Sequence, residues 1–77
     1  MKLELYKMDT CPFCRKVMNE IDRQGRNDIE MHDINRNPED RETLIRVGGM
    51  LQVPCLFIDG KPMYESGDIV AWLRENP

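Results

Sequence analysis

The chain has 77 residues, 40% of them hydrophobic and 32% charged, which fits one domain over residues 1–77 built on a single core and excludes disordered and fibrous classes. Eleven basic residues stand against fourteen acidic ones, a net charge of -3 with no long block of either sign, so nucleic acid is not an expected partner. No apolar run approaches the roughly 20 residues of a membrane span, and the N-terminus alternates apolar and polar residues instead of carrying a signal-peptide core, so a cytosolic location without a membrane partner is expected.

In chain order, residues 2–6 alternate around Leu3 and Leu5 and predict a short strand, followed by a loop over residues 7–10. Cys11-Pro12-Phe13-Cys14 comes next. Pro12 suits the first position of a helix, and residues 15–24 carry Val17, Met18 and Ile21 at helical spacing. Gly25 suits a helix C-terminus, and residues 29–34 alternate as a second strand. Asn37 can cap a second helix with Pro38 at its first position, Glu39 and Asp40 in its first turn, and apolar Leu44, Ile45 and Val47 before Gly48-Gly49 ends it. Val53-Pro54 introduces an apolar strand over residues 55–58, Asp59-Gly60 predicts a hairpin, and Pro62-Met63-Tyr64 forms its second arm. Ser66 is the expected cap of a last helix that packs Ile69, Val70, Trp72 and Leu73 inward. The order β-α-β-α-β-β-α predicts an α/β fold, a four-stranded mixed sheet flanked by three helices on both faces, with Cys11 at the carboxyl end of the first strand.

Two thiols separated by two residues ahead of a helix form a dithiol that can cycle with a disulfide. Cys11 would lie beside free helix N–H groups and the positive end of the helix dipole, a setting that lowers a thiol from about 8.5 to roughly 3.5–7.5. It is the expected nucleophile, and Cys14, one turn deeper, the resolving thiol. Asp9 would oppose the thiolate, while Lys7, Arg15 and Lys16 would favour it. A closed zinc site needs four ligands, and beyond the pair the chain offers only Cys55 and His32 at no finger-like spacing, so redox chemistry without a metal is preferred. Cys55 reads as a small core residue, with a third thiol near the site as the alternative. His32 is expected on a solvated strand face, and Met8, Met50 and Met63 as gap fillers near loops.

Taken with Val53-Pro54 and Glu65-Ser66-Gly67-Asp68, the Cys-Pro-Phe-Cys segment gives a chain that over essentially its whole length resembles the glutaredoxins, which have the thioredoxin fold. The resemblance implies a cis Pro54 lying against the sulfurs and a Val53 backbone that pairs with the cysteinyl part of glutathione. It implies further that the γ-glutamyl carboxylate meets the N–H groups of Ser66 and Gly67 and the Ser66 hydroxyl, that Arg41 meets the glycine carboxylate, and that Phe13 lines the groove. Met8, Gln52 and Tyr64-Glu65 replace a lysine, a threonine and a Gly-Gly frequent in that family. Glu65-Ser66 is similar to the corresponding segment of glutathione transferases, which places Glu65 among the glutathione-binding residues. The implied activity is glutathione-dependent reduction of protein-glutathione mixed disulfides and protein disulfides, with glutathione as co-substrate and no bound cofactor; a monomer is expected, since nothing in the residues argues for a large apolar interface. Feeding by a flavoprotein reductase, or carriage of an iron-sulfur cluster between two subunits, are the alternatives.

Overall fold

In the computed structural model, which describes Met1–Pro77, strand β1 (Leu3–Lys7) places Leu3 and Leu5 on one side of a sheet and Tyr6 on the other. Helix α1 (Pro12–Gln24) leads to β2 (Ile29–Asp33), α2 (Pro38–Thr43) continues into one π-helical turn (Leu44–Gly48), and β3 (Cys55–Ile58), β4 (Lys61–Met63) and α3 (Ser66–Glu75) complete the chain. The strands lie in the order β2-β1-β3-β4. β1 and β2 run parallel, with Leu3 beside Ile29 and Tyr6 beside His32, whereas β3 is antiparallel to both β1 and β4. The predicted mixed sheet and its order of elements are therefore present.

Local signals act where the residues predict. Asn37 accepts the N–H of Glu39 at 3.1 Å and opens α2 ahead of Pro38, an arrangement worth about 1 kcal/mol. Gly25 ends α1 with φ 65°, and Asp59-Gly60 turns the hairpin with φ 50° and 85°, the pair of positive values that a two-residue turn of matching twist requires. Two expectations are corrected. Ser66 is the first helical residue of α3 rather than its cap; Glu65 stands in the cap position, extended at φ -77° and ψ 124°, and neither side chain caps the helix. The second helix widens into the π turn after Thr43, which leaves Leu44 buried but Ile45 and Val47 nearly half exposed; only Leu44 reaches the sheet.

The two sheet faces carry separate cores. Leu3, Leu5, Leu56 and Ile29 pack with Val17 and Ile21 of α1 and Ile69, Val70 and Leu73 of α3, while Tyr6, Cys55 and Phe57 pack with Leu44 on the opposite face. Shortening a fully buried member such as Leu5 or Ile69 to alanine is worth about 2–5 kcal/mol of stability.

α1 and α3 are also joined by charge. Glu20 of α1 is 5% exposed, and its carboxylate accepts from Arg23, from Gln24 at 2.8 Å and from Arg74 of α3 at 3.1 Å. Gln24 and Arg26 in turn donate to the carbonyl of Leu73, at 3.1 and 3.3 Å, and Arg26 to that of Asn76 at 2.7 Å, so the free carbonyls at the end of α3 find partners on α1 and the turn after it. The donors, Arg23 foremost, hold Glu20 down at about 2 from an ordinary 4.5. Because the folded value is the lower one, the stability this carboxylate contributes is fully present above its ordinary value and is lost as the pH falls toward 2. Glu20→Gln is therefore expected to flatten the acid limb of thermal stability between about pH 5 and pH 2; a variant whose melting temperature falls with acid as steeply as the parent's would contradict the assignment.

Candidate active site

β1 ends at Lys7, the Cys11 N–H returns to the Met8 carbonyl at 3.2 Å, and α1 begins at Pro12. Cys11 thus occupies the cap position, with φ -85° and ψ 121°, and its carbonyl accepts the first helical bond from Arg15 at 3.0 Å. No side chain caps this helix. The N–H groups of its first turn are left to the Cys11 sulfur, as orphan donors at a helix start are left to any nearby acceptor.

Burial works against charge on Cys11, but the N–H of Cys14, the Cys14 thiol and the N–H of Phe13 outweigh it, and the Cys11 thiol lies below its ordinary value. Cys14 is fully buried. That burial, reinforced by its contact with Cys11, pushes its thiol up to about 12 although the Met8 N–H points at its sulfur from 3.5 Å. The two sulfurs of the pair are shifted in opposite directions, Cys11 down and Cys14 up.

The opposition expected from Asp9 is absorbed locally. Its carboxylate pairs with Lys7, which also faces Asp33 at 3.6 Å, while Arg36 approaches Asp9 and Asp33 at 3.7 Å each. Arg15 and Lys16 point into solvent. What lowers the Cys11 thiol is the N–H groups of Cys14 and Phe13 and the Cys14 thiol at the helix start, with no neighbouring cation among the causes.

The Val53-Pro54 peptide is cis and Pro54 is buried. Phe13, 63% exposed, stands across from it. A cavity of about 150 Å³ lies between Phe13, Val53, Pro54, Tyr64, Glu65 and Ser66, with Gln52 at its edge. A second, of about 270 Å³, is lined by Met8, Ile34, Asn35, Arg41, Leu51 and Val53. The two share Val53. Of the residues expected at the site, Phe13, Val53, Pro54, Glu65 and Ser66 therefore converge on one cavity and Arg41 lies in the other; Gly67 is exposed on the first turn of α3 without lining either. Two larger depressions, around Met1 and Asn27 and around Glu39 and Arg46, contain no thiol.

Three expectations about single residues resolve differently from one another. Cys55 is fully buried, in the core beneath Pro54, and burial lifts its thiol to about 11, which makes it a packing residue. His32 is not solvated: the parallel register stacks it on Tyr6 at 4.6 Å, Asp40 sits 3.0 Å from its Nδ1, and Glu4 and Glu30 flank its Nε2 at 3.3 and 3.6 Å. Met8 and Met63 are half-buried gap fillers, but Met50 is half exposed. Tyr64, which the sequence marks only as a departure from a Gly-Gly, proves to be a wall of the cavity beside Phe13.

Residues 3–63 match the glutaredoxin family. The chain belongs to the glutaredoxin family. It is 32% identical over 71 residues to a probable glutaredoxin of Synechocystis, covering 91% of this chain and 80% of that one, and 30% identical over 69 residues to glutaredoxin 3 of Escherichia coli K12, covering 90% and 82%. Among solved structures it resembles the thioredoxin-like protein BC3987, with a TM-score of 0.80 at 22% identity over 96% of this chain and 97% of that one. A buckwheat glutaredoxin-glutathione complex aligns with a TM-score of 0.74 at 19% identity, over 97% and 70%. These two likenesses show the thioredoxin-like fold, and family membership makes this glutaredoxin a thiol-disulfide oxidoreductase.

The uneven preparation of the three sulfurs has a direct readout. Alkylation of the reduced protein with iodoacetamide at pH 7 is expected to modify Cys11 alone, with a rate that falls on acidification through a midpoint below the ordinary thiol value of about 8.5. A midpoint at or above that value, or comparable labelling of Cys14 or Cys55 in the folded protein, would refute the described electrostatics.

Proposed function

We propose that this glutaredoxin reduces protein-glutathione mixed disulfides, and protein disulfides, with Cys11 as the attacking thiolate, Cys14 as the resolving thiol and glutathione as the electron donor. The observation that carries the reading is the placement of two cavities that share Val53, one of them walled by Phe13, two residues after the thiol that lies below its ordinary value. An extended tripeptide pairing with the Val53 backbone would set its γ-glutamyl end toward Ser66 and its glycine end toward Arg41. The uncapped start of α3 supports the first contact, because the N–H groups of Ser66 and Gly67 have no side-chain acceptor there and a carboxylate is a natural partner. Arg41 supports the second: it is exposed, forms no ion pair within the chain, and is the one cation in a cavity otherwise walled largely by Met8, Ile34, Leu51 and Val53. Glu65, beside Ser66, offers a negative charge to the amino group of the same γ-glutamyl end.

In the first step the Cys11 thiolate attacks the glutathione sulfur of the mixed disulfide. The protein sulfur leaves as a thiolate and takes a proton from solvent, and Cys11 is left in a mixed disulfide with glutathione. A second glutathione thiolate then attacks the glutathione sulfur of that intermediate, giving glutathione disulfide and returning the Cys11 thiolate. Alternatively Cys14 loses its proton to solvent, attacks the Cys11 sulfur and expels glutathione. Once Cys11 is capped, the share of Cys14's high value that comes from Cys11 is gone, while the larger share due to burial stays. Where the target is a protein disulfide, the Cys14 route releases it and closes the Cys11-Cys14 bond. A couple of this family lies at roughly -200 to -230 mV, poised for exchange with a glutathione pool.

Turnover of a glutathionylated protein with glutathione as reductant tests the reading. Cys14→Ser is expected to keep substantial activity and Cys11→Ser to have none; activity surviving the loss of Cys11 would dismiss the mechanism. Arg41→Ala is expected to raise the apparent KM for glutathione about three- to ten-fold, the size of losing an exposed charge-assisted hydrogen bond, and an unchanged KM would remove Arg41 from the site.

A further inference from the structure

Tyr64 sits between β4 and α3, and its side chain crosses to the loop that delivers Val53 and Pro54. The hydroxyl donates to the Met50 carbonyl at 3.0 Å and accepts from the Met50 N–H at 3.2 Å. No other hydrogen bond holds residues 50–53. Gly48 completes the arrangement from the other side: a Cβ there would stand 2.2 Å from the Tyr64 hydroxyl oxygen and 3.3 Å from Cζ, so the absence of a side chain at position 48 is what admits the phenol. The body of the ring packs against the core of Tyr6, Leu44, Cys55 and Phe57. Its remaining surface faces the cavity between Phe13 and Ser66.

One residue therefore touches both banks of the groove. Through its backbone Tyr64 is continuous with Glu65 and Ser66 at the start of α3; through its hydroxyl it holds the segment that ends in Val53. We infer that Tyr64 is a positioning residue that fixes the separation of these two banks, and so the affinity for the tripeptide bound between them; the inference rests on the glutathione reading above. A loop without its own hydrogen-bond ladder samples many backbone states, and a ligand that needs Val53 in one of them loses affinity in proportion to the time the loop spends elsewhere. The sulfurs are placed by α1, which Tyr64 does not hold, so chemistry at saturation is separable from binding.

Tyr64→Phe keeps the ring and removes both hydrogen bonds. The apparent KM for glutathione is expected to rise about three- to ten-fold, the scale of one or two released hydrogen bonds, while kcat at saturating glutathione and the alkylation midpoint of Cys11 stay at their parent values. In the same variant the Met50 amide should exchange faster with solvent hydrogen. Gly48→Ala drives a methyl group into the hydroxyl and is expected to lower the melting temperature, whereas in the Tyr64→Phe background the colliding oxygen is gone and Gly48→Ala should cost clearly less, only what the tight approaches to the ring carbon and to Phe57 require, a coupling that two independent sites would not show. A Tyr64→Phe protein with the parent's KM, or with kcat reduced in place of a raised KM, would overturn the assignment while leaving the proposed function standing. A parent protein whose turnover does not saturate with glutathione would overturn both.

Discussion

The chemistry of this chain depends on a helix that begins without a side-chain cap. At the other well-formed start, α2, Asn37 takes the first free N–H; at α1 the cap position is held by Cys11, and the nearby N–H groups of Phe13 and Cys14 lower its thiol. Pro12 contributes by fixing the backbone at the first helical position while adding no donor of its own. Because these donors belong to the backbone, the preference for charge on Cys11 is built into the path of the chain. It needs no lysine nearby, and the cations closest in sequence are in fact engaged elsewhere or in solvent.

The fold supplies what that helix start needs around it. Parallel pairing of β1 with β2 and antiparallel pairing with β3 put the carboxyl end of β1 next to the beginning of β3, so the loop carrying Cys11 and the peptide before Pro54 meet at one end of the two central strands. α1 and α3 lie on the same face and are joined both by the apolar layer under them and by the Glu20 cluster. The thiol pair and the free N–H groups of Ser66 and Gly67 are consequently carried by two helices that share one foundation.

Much of this was legible in the residues because it is local. Alternation around Leu3 and Leu5, Pro12 behind Cys11, Asn37-Pro38 and Asp59-Gly60 each specify a backbone state through their own side chains or their lack of one, and the elements they open or turn stand within about a residue of the positions read from them. What could not be read depends on partners distant in sequence. Glu20 looks like one more exposed charge until Arg74, fifty-four residues away, folds beside it. His32 reads as a solvated residue until the register of β1 and β2 lays it on Tyr6. Ser66 has the composition of a cap, yet the hairpin delivers the chain one residue earlier and Glu65 takes the place. The π turn likewise has no signal among its own residues, and it leaves Leu44 buried with Ile45 and Val47 exposed. At the site, the dithiol and Val53-Pro54 are sequence signals, whereas Tyr64 acquires its place only from the three-dimensional approach of β4 to the segment after Gly48.

The burial of Cys14 and Cys55 has a consequence for how the molecule meets oxidants. Three thiols are present, yet a thiol-directed reagent arriving from outside finds a single accessible one, and disulfide bridging between molecules in the folded state has one address.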